Sequence, residues 1–212
     1  MLTDFKAFIF DLNGTMINDM DYHIKAWYNI LNAHGANLSM ERMKEECYGK
    51  NQEILERIFP NRFSEEEKRD MSIKKEKAYQ EEFRPHLKLI DGLEDFLKIH
   101  HSAGTRMAIG SAAIMFNIDY VIDGLSIRHY FDALISADEV KQSKPHPETF
   151  LKAAEALGMA PGDCLVFEDN PNGVEAAANA GMKTVVITTM HRPEEFGRFN
   201  DVIAFAPDYV NL

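Results

Sequence analysis

Cysteine is almost missing from this chain: its 212 residues include only Cys47 and Cys164. The two stand far apart, with neither metal-ligand spacing nor an adjacent catalytic partner, so they read as reduced, packed thiols rather than as a disulfide or a thiolate metal site. Positive charge is also short. Twenty-three lysines and arginines face 34 acids, a net charge of −11, which argues against nucleic acid or an anionic membrane as a partner and leaves a small ligand held by local donors or a metal. No apolar run is long enough to span a bilayer, and Met1 to Phe10 is too short for a signal peptide and carries Asp4 and Lys6; the expected compartment is the cytoplasm. Internal repeats and low-complexity segments are lacking as well. What is there, 45% hydrophobic and 27% charged, describes a globular chain able to bury a sizeable core.

Near the start, Phe8-Ile9-Phe10 reads as a strand buried on both faces, with Asp11 arriving where it stops and Gly14 in the turn beyond. A carboxylate at the carboxyl end of a strand stands where open α/β sheets bind ligands. Helical spacing then takes over. Ile24, Trp27, Ile30 and Leu31 mark one helix face, Ser39 precedes a short helix, Asn51 to Ile58 form another, and Ser64 opens a long charged helix reaching Phe83. After Pro85 a helix opens at Asp91-Gly92-Leu93, and strands are expected at Arg106–Gly110, Ala133–Ser136, Cys164–Phe167, Thr184–Thr188 and Val202–Phe205. Helices at Ile114–Gly124, Pro147–Leu157 and Pro171–Gly181 separate several of them. The pattern predicts an α/β fold, a Rossmann-like parallel sheet core of residues 1–15 and 85–212, with residues 16–84 inserted as an α-helical cap domain over Asp11.

Four short stretches at strand ends carry groups suited to chemistry: Asp11 to Thr15, Ser111, Lys144 within Ser143-Lys144-Pro145, and Glu168-Asp169. Taken singly each is ordinary, since serines cap turns, lysines before proline are solvated and acids open helices. Together they supply a nucleophile, a hydroxyl donor, a cation and two more carboxylates, the inventory that metal-assisted phosphoryl transfer needs.

In that order the motifs resemble the haloacid dehalogenase-like superfamily, and within it the beta-phosphoglucomutase-like branch with a helical cap. The Asp11-to-Thr15 loop is similar to the signature DxDGT, with Asn13 in place of the second Asp. The resemblance implies Asp11 as nucleophile, Ser111 and Lys144 holding phosphoryl oxygens, and Mg2+ held by Asp11, the Asn13 carbonyl, Glu168 and Asp169. Gly14, Thr15 and Ala112 would line the substrate side of the same loops. In the cap, Asp21-Tyr22-His23-Ile24-Lys25-Ala26-Trp27 resembles the branch's first helix, which implies His23 at the hinge and Trp27 beside substrate, although spacing alone places Trp27 equally well in a core. Gln52 stands where beta-phosphoglucomutase has the arginine that grips a distal phosphate, and an amide cannot replace a bidentate guanidinium. Lys75 is the candidate for cap charge, although a lysine-rich helix face is more often solvated.

In the family the second Asp is the general acid and base, and Asn13 has no proton to exchange near neutral pH. General acid–base catalysis is worth roughly 3 to 5 kcal/mol of barrier. The reading is therefore a magnesium-dependent phosphohydrolase of a small phosphorylated metabolite, working through an aspartyl phosphate and attenuated by Asn13, expected as a monomer. Two alternatives stand beside it: a phosphosugar mutase of the beta-phosphoglucomutase type, and a catalytically weak phosphometabolite-binding protein. Dehalogenase chemistry is the least favoured, because Glu168-Asp169 keeps a metal-type acidic pair.

Overall fold

A computed structural model describes residues 2–212. Strand β1 (Ala7–Phe10) is followed by four helices, α1 (Met20–Ala33), α2 (Met40–Glu46), α3 (Asn51–Ile58) and α4 (Glu65–Phe83). Helices and strands then mix as α5 (Leu93–Ser102), β2 (Arg106–Gly110), α6 (Met115–Gly124), β3 (Ala133–Ile135), α7 (Glu148–Leu157), β4 (Cys164–Glu168), α8 (Pro171–Asn179), β5 (Lys183–Ile187) and β6 (Val202–Ala206). Among these residues no helix is long and apolar enough to cross a membrane.

The six strands form one parallel sheet in the order β3-β2-β1-β4-β5-β6. The chain winds outward from β1 through β2 to β3, then returns to place β4 on the other side of β1. The order thus reverses between β1 and β4, and in such sheets the crevice at that reversal, beyond the strands' carboxyl ends, is where ligands bind. Both faces of β1 are buried, and its side chains alternate. Ala7 and Ile9 join Ala108, Phe150, Ala153 and Val166 on one face. On the other, Phe10 stacks on Phe167 with ring centroids 4.7 Å apart, and Phe8, Phe96 and Tyr209 complete the aromatic layer.

The chain divides into two compact units, Met1–Asn18 with Lys88–Leu212, and Asp19–Leu87. Residues 16–18 stay with the sheet unit for a visible reason: Met16 and Ile17 are fully buried, the Ile90 N–H donates to the Met16 carbonyl, and the Gly14 N–H donates to that of Ile17. In the helical unit, Ile24, Trp27 and Leu31 of α1 pack with Met43, Ile54, Leu55, Phe59 and Met71. Ser39 caps α2, and Ser64 with Glu67 closes a reciprocal capping box on α4. Elsewhere the differences from expectation are small: β4 runs on to include Glu168, β5 is shifted one residue back, and α8 ends at Asn179, with Gly181 turning at φ +76° beyond it.

Because Phe10 is fully buried at the centre of the aromatic layer, Phe10→Ala is expected to cost about 3–5 kcal/mol. Urea unfolding of the two proteins measures this directly, and a loss under 1 kcal/mol would contradict the packing described.

Candidate active site

The β1–β4 pairing brings the acids together. Phe10 is in register with Phe167, and the Asp11 N–H donates to the Phe167 carbonyl at 2.9 Å, so Asp11 and Glu168 emerge side by side at the strand ends. Lys144, from the loop between β3 and α7, donates to Asp11 Oδ1 at 2.6 Å and to Glu168 Oε1 at 2.7 Å. The other Glu168 oxygen accepts the backbone N–H groups of Asp169 (2.8 Å) and Asn170 (2.9 Å). Asp169 in turn accepts the Thr15 hydroxyl at 3.3 Å. Space here is tight. A Cβ on Gly14, whose φ is +78°, would lie 2.2 Å from an Asp169 oxygen, and one on Gly173 would lie 1.8 Å from Glu168 Oε1.

Asp11, Glu168 and Asp169 are all buried, and each offers a carboxylate oxygen to a group whose members lie within 4.8 Å of one another. Burial, then the charges of Glu168 and Asp11, pushes the Asp169 carboxyl well above the usual carboxylate range. Burial opposes the charge on Lys144, but Asp11 and Glu168 outweigh it and raise its pKa, so it stays a cation. One lysine against three acids leaves the cluster electron-rich and hard, the donor set that suits Mg2+. A divalent cation there would relieve the repulsion that holds the Asp169 proton.

Ser111 lies just past the end of β2, buried, on the other side of β1; its N–H donates to the Ile135 carbonyl at 2.9 Å, and its hydroxyl accepts the Ala113 N–H at 3.2 Å. Ala112 follows it, half-buried. The strands thus carry all four chemical stretches to one edge of the sheet. Sequence reasoning missed several supporting residues. Thr189, beyond β5, donates to the Gly14 carbonyl at 2.6 Å, and Tyr209 donates to the Thr15 carbonyl at 3.1 Å. Burial, then Asp11, Asp169 and Glu168, raises the Tyr209 phenol well above its ordinary value. Only Gly173 left a readable trace, since a glycine inside a helix costs about 1 kcal/mol and marks a close approach.

The residues expected in the cap belong to the helical unit. His23 stacks on Tyr79, with ring centroids 3.8 Å apart, and pairs with Asp19 at 3.1 Å. Trp27 is buried in that unit's core, with the Lys75 ammonium 5.4 Å from its ring centre. Lys75 is not solvated: it is buried and bonded to His23 and Glu76. Gln52 sits half-buried in α3.

Gly173→Ala forces the Glu168 carboxylate away from Lys144, because the new methyl takes its place. Magnesium affinity, read by calorimetry, is expected to fall at least tenfold in this variant while the far-ultraviolet spectrum is retained; unchanged affinity would remove Glu168 from the metal set.

The sequence model of the haloacid dehalogenase-like hydrolases matches residues 8–187. A fructose-1-phosphate phosphatase of Escherichia coli is 31% identical over 191 residues, covering 87% of this chain and 97% of its own length. Hexitol phosphatase B of the same organism is 27% identical over 186 residues, covering 85% and 82%. Among solved structures, a beta-phosphoglucomutase from Clostridium difficile superposes with a TM-score of 0.85 at 28% identity, over 98% of this chain and 93% of its own. With the acids of β1 and β4 meeting at the reversal of the sheet, these likenesses show that the chain belongs to the haloacid dehalogenase-like hydrolase family, as an enzyme of its phosphatase and phosphotransferase kind.

Proposed function

We propose that this protein is a magnesium-dependent phosphohydrolase of a small sugar or polyol phosphate, acting through an aspartyl phosphate on Asp11, with hydrolysis slowed by Asn13. The observation that carries the reading is the buried Asp11–Lys144–Glu168 arrangement, with Asp169 beside it. The substrates named for the Escherichia coli relatives, fructose 1-phosphate and hexitol phosphates, support the sugar phosphate.

In the first half-reaction an Asp11 carboxylate oxygen bonds to phosphorus as the bond to the leaving-group oxygen breaks. Lys144 and Ser111 balance the charge on the transferring oxygens. Asp11, Glu168, Asp169 and the Asn13 carbonyl would hold Mg2+, which would supply further neutralisation of the phosphoryl group. In the second half, water bonds to phosphorus, the oxygen–phosphorus bond to Asp11 breaks to restore its carboxylate and release orthophosphate, and the water's proton passes to the departing phosphate or to bulk solvent. The Asn13 amide cannot accept it. A mutase reading is supported by the likeness to beta-phosphoglucomutase, but the neutral Gln52 offers no grip on a second phosphate.

Forming the intermediate needs an acid only when the leaving group is poor. With an acyl phosphate the expected record is therefore a burst approaching one equivalent of leaving group, then slow release, and Asn13→Asp should speed the slow phase by about 100-fold or more. Rapid-quench measurement checks it. A linear trace without labelled protein, unchanged in Asn13→Asp, would sink the phosphoenzyme.

We also assign the helical unit the part of a lid, because it is inserted directly after the loop that carries Asp11. Hydrogen exchange is expected to slow around residues 15–19 and 84–89 when a phosphate analogue and Mg2+ are added. Equal exchange with and without the analogue would overturn the lid.

A further inference from the structure

The loop beyond Asp11 is closed on itself by its own backbone. The Gly14 N–H donates to the Ile17 carbonyl at 2.8 Å, and the Met16 N–H donates to the Leu12 carbonyl at 2.9 Å. Because a trans peptide unit is planar and points its carbonyl opposite to its N–H, the first of these bonds sets the direction of the Asn13 carbonyl within the loop. Bonds internal to the loop give it a shape. They do not place that shape against the acids of β4, and Gly14, at φ +78°, adds backbone freedom at the centre of the loop.

That placement comes from outside. Thr189, beyond β5, donates its hydroxyl to the Gly14 carbonyl at 2.6 Å, and Tyr209, beyond β6, donates to the Thr15 carbonyl at 3.1 Å. Two consecutive carbonyls are thus held by hydroxyls from distant parts of the sheet unit, and both donors are themselves fixed. The Thr188 N–H donates to the Ala206 carbonyl at 2.9 Å and the Thr189 N–H to the Ile187 carbonyl at 3.0 Å. The Tyr209 ring lies 5.4 Å from Phe96 and 5.7 Å from Phe167, and its N–H donates to the Asp91 carbonyl at 2.9 Å. The chain has no slack there, since a Cβ on Gly92 would stand 2.5 Å from the Val210 nitrogen. Burial and the neighbouring acids keep the Tyr209 phenol protonated, so it remains a donor.

We propose that Thr189 and Tyr209 are positioning residues, which hold the loop so that the Asn13 carbonyl is aimed as a metal ligand and the Thr15 hydroxyl at Asp169. The inference rests on the metal set of the proposed phosphohydrolase. With no proton to exchange, Asn13 contributes through its carbonyl, and the direction of that carbonyl decides the contribution. Hydroxyls serving only to hold the loop down would affect stability and leave metal affinity alone.

The test makes two measurements in Thr189→Val and in Tyr209→Phe, each of which removes a hydroxyl and keeps the shape of the side chain. In the metal-free protein, amide exchange followed by NMR at residues 14–17 is expected to quicken about fivefold, the worth of one hydrogen bond, while the amides of β1 keep their wild-type rates. Mg2+ affinity, read by calorimetry, is expected to fall about tenfold in each variant, and Thr189→Ser, which restores the donor, is expected to recover it. Wild-type exchange at 14–17 or wild-type Mg2+ affinity in either folded variant would overturn the proposal, as would Thr189→Ser binding as weakly as Thr189→Val. Should one variant fail to fold, the other carries the same two measurements. Should the wild type bind no Mg2+, the metal set of the proposed phosphohydrolase falls, and the metal-free exchange decides this inference alone.

Discussion

Mutual repulsion among Asp11, Glu168 and Asp169 is the constraint to which the rest of the sheet unit answers. Three carboxylates within 4.8 Å, all buried, would not stay ionised in an apolar environment, and the raised Asp169 pKa records that cost. Lys144 holds two of the three directly. Backbone N–H groups at the start of α8 hold Glu168, and the Thr15 hydroxyl holds Asp169. Each of these partners comes from a different loop at the carboxyl edge of the sheet. The strand order that places β4 beside β1 is therefore an electrostatic requirement as much as a topological one.

The parts of this arrangement with local periodicity were legible in the sequence. Phe8-Ile9-Phe10 alternates across two buried faces, and the acids and serine beyond the strands follow runs of apolar residues; strand type and sheet class are legible from order alone, and the structure brings Asp11, Lys144, Glu168 and Asp169 together. The apolar run stops at Phe167 and points to Glu168 as lying past its strand, whereas it forms the last rung of β4. Boundaries of this kind depend on pairing with β5, which no local pattern encodes. The cap residues were harder. In α4, charged residues fall on every side, so the helix shows no apolar stripe from which to judge which lysine faces inward. Only the tertiary position of His23 and Asn51 makes Lys75 and Glu76 interior.

The helical unit and the sheet unit solve opposite problems with similar means. In the sheet unit an excess of acids is concentrated where a cation and a phosphoryl group can be balanced against it. In the helical unit a buried lysine, Lys75, already has its partner in Glu76.

Phe10 and Phe167 stack 4.7 Å apart, and each is the residue just before an acid of the site, Asp11 and Glu168. The rings therefore act as a spacer for the two carboxylates, through one peptide unit on each strand. Any change in ring size or tilt reaches the site as a change in the separation of its acids. At these two positions packing beneath the site and the placement of its acids are coupled through the strand backbones.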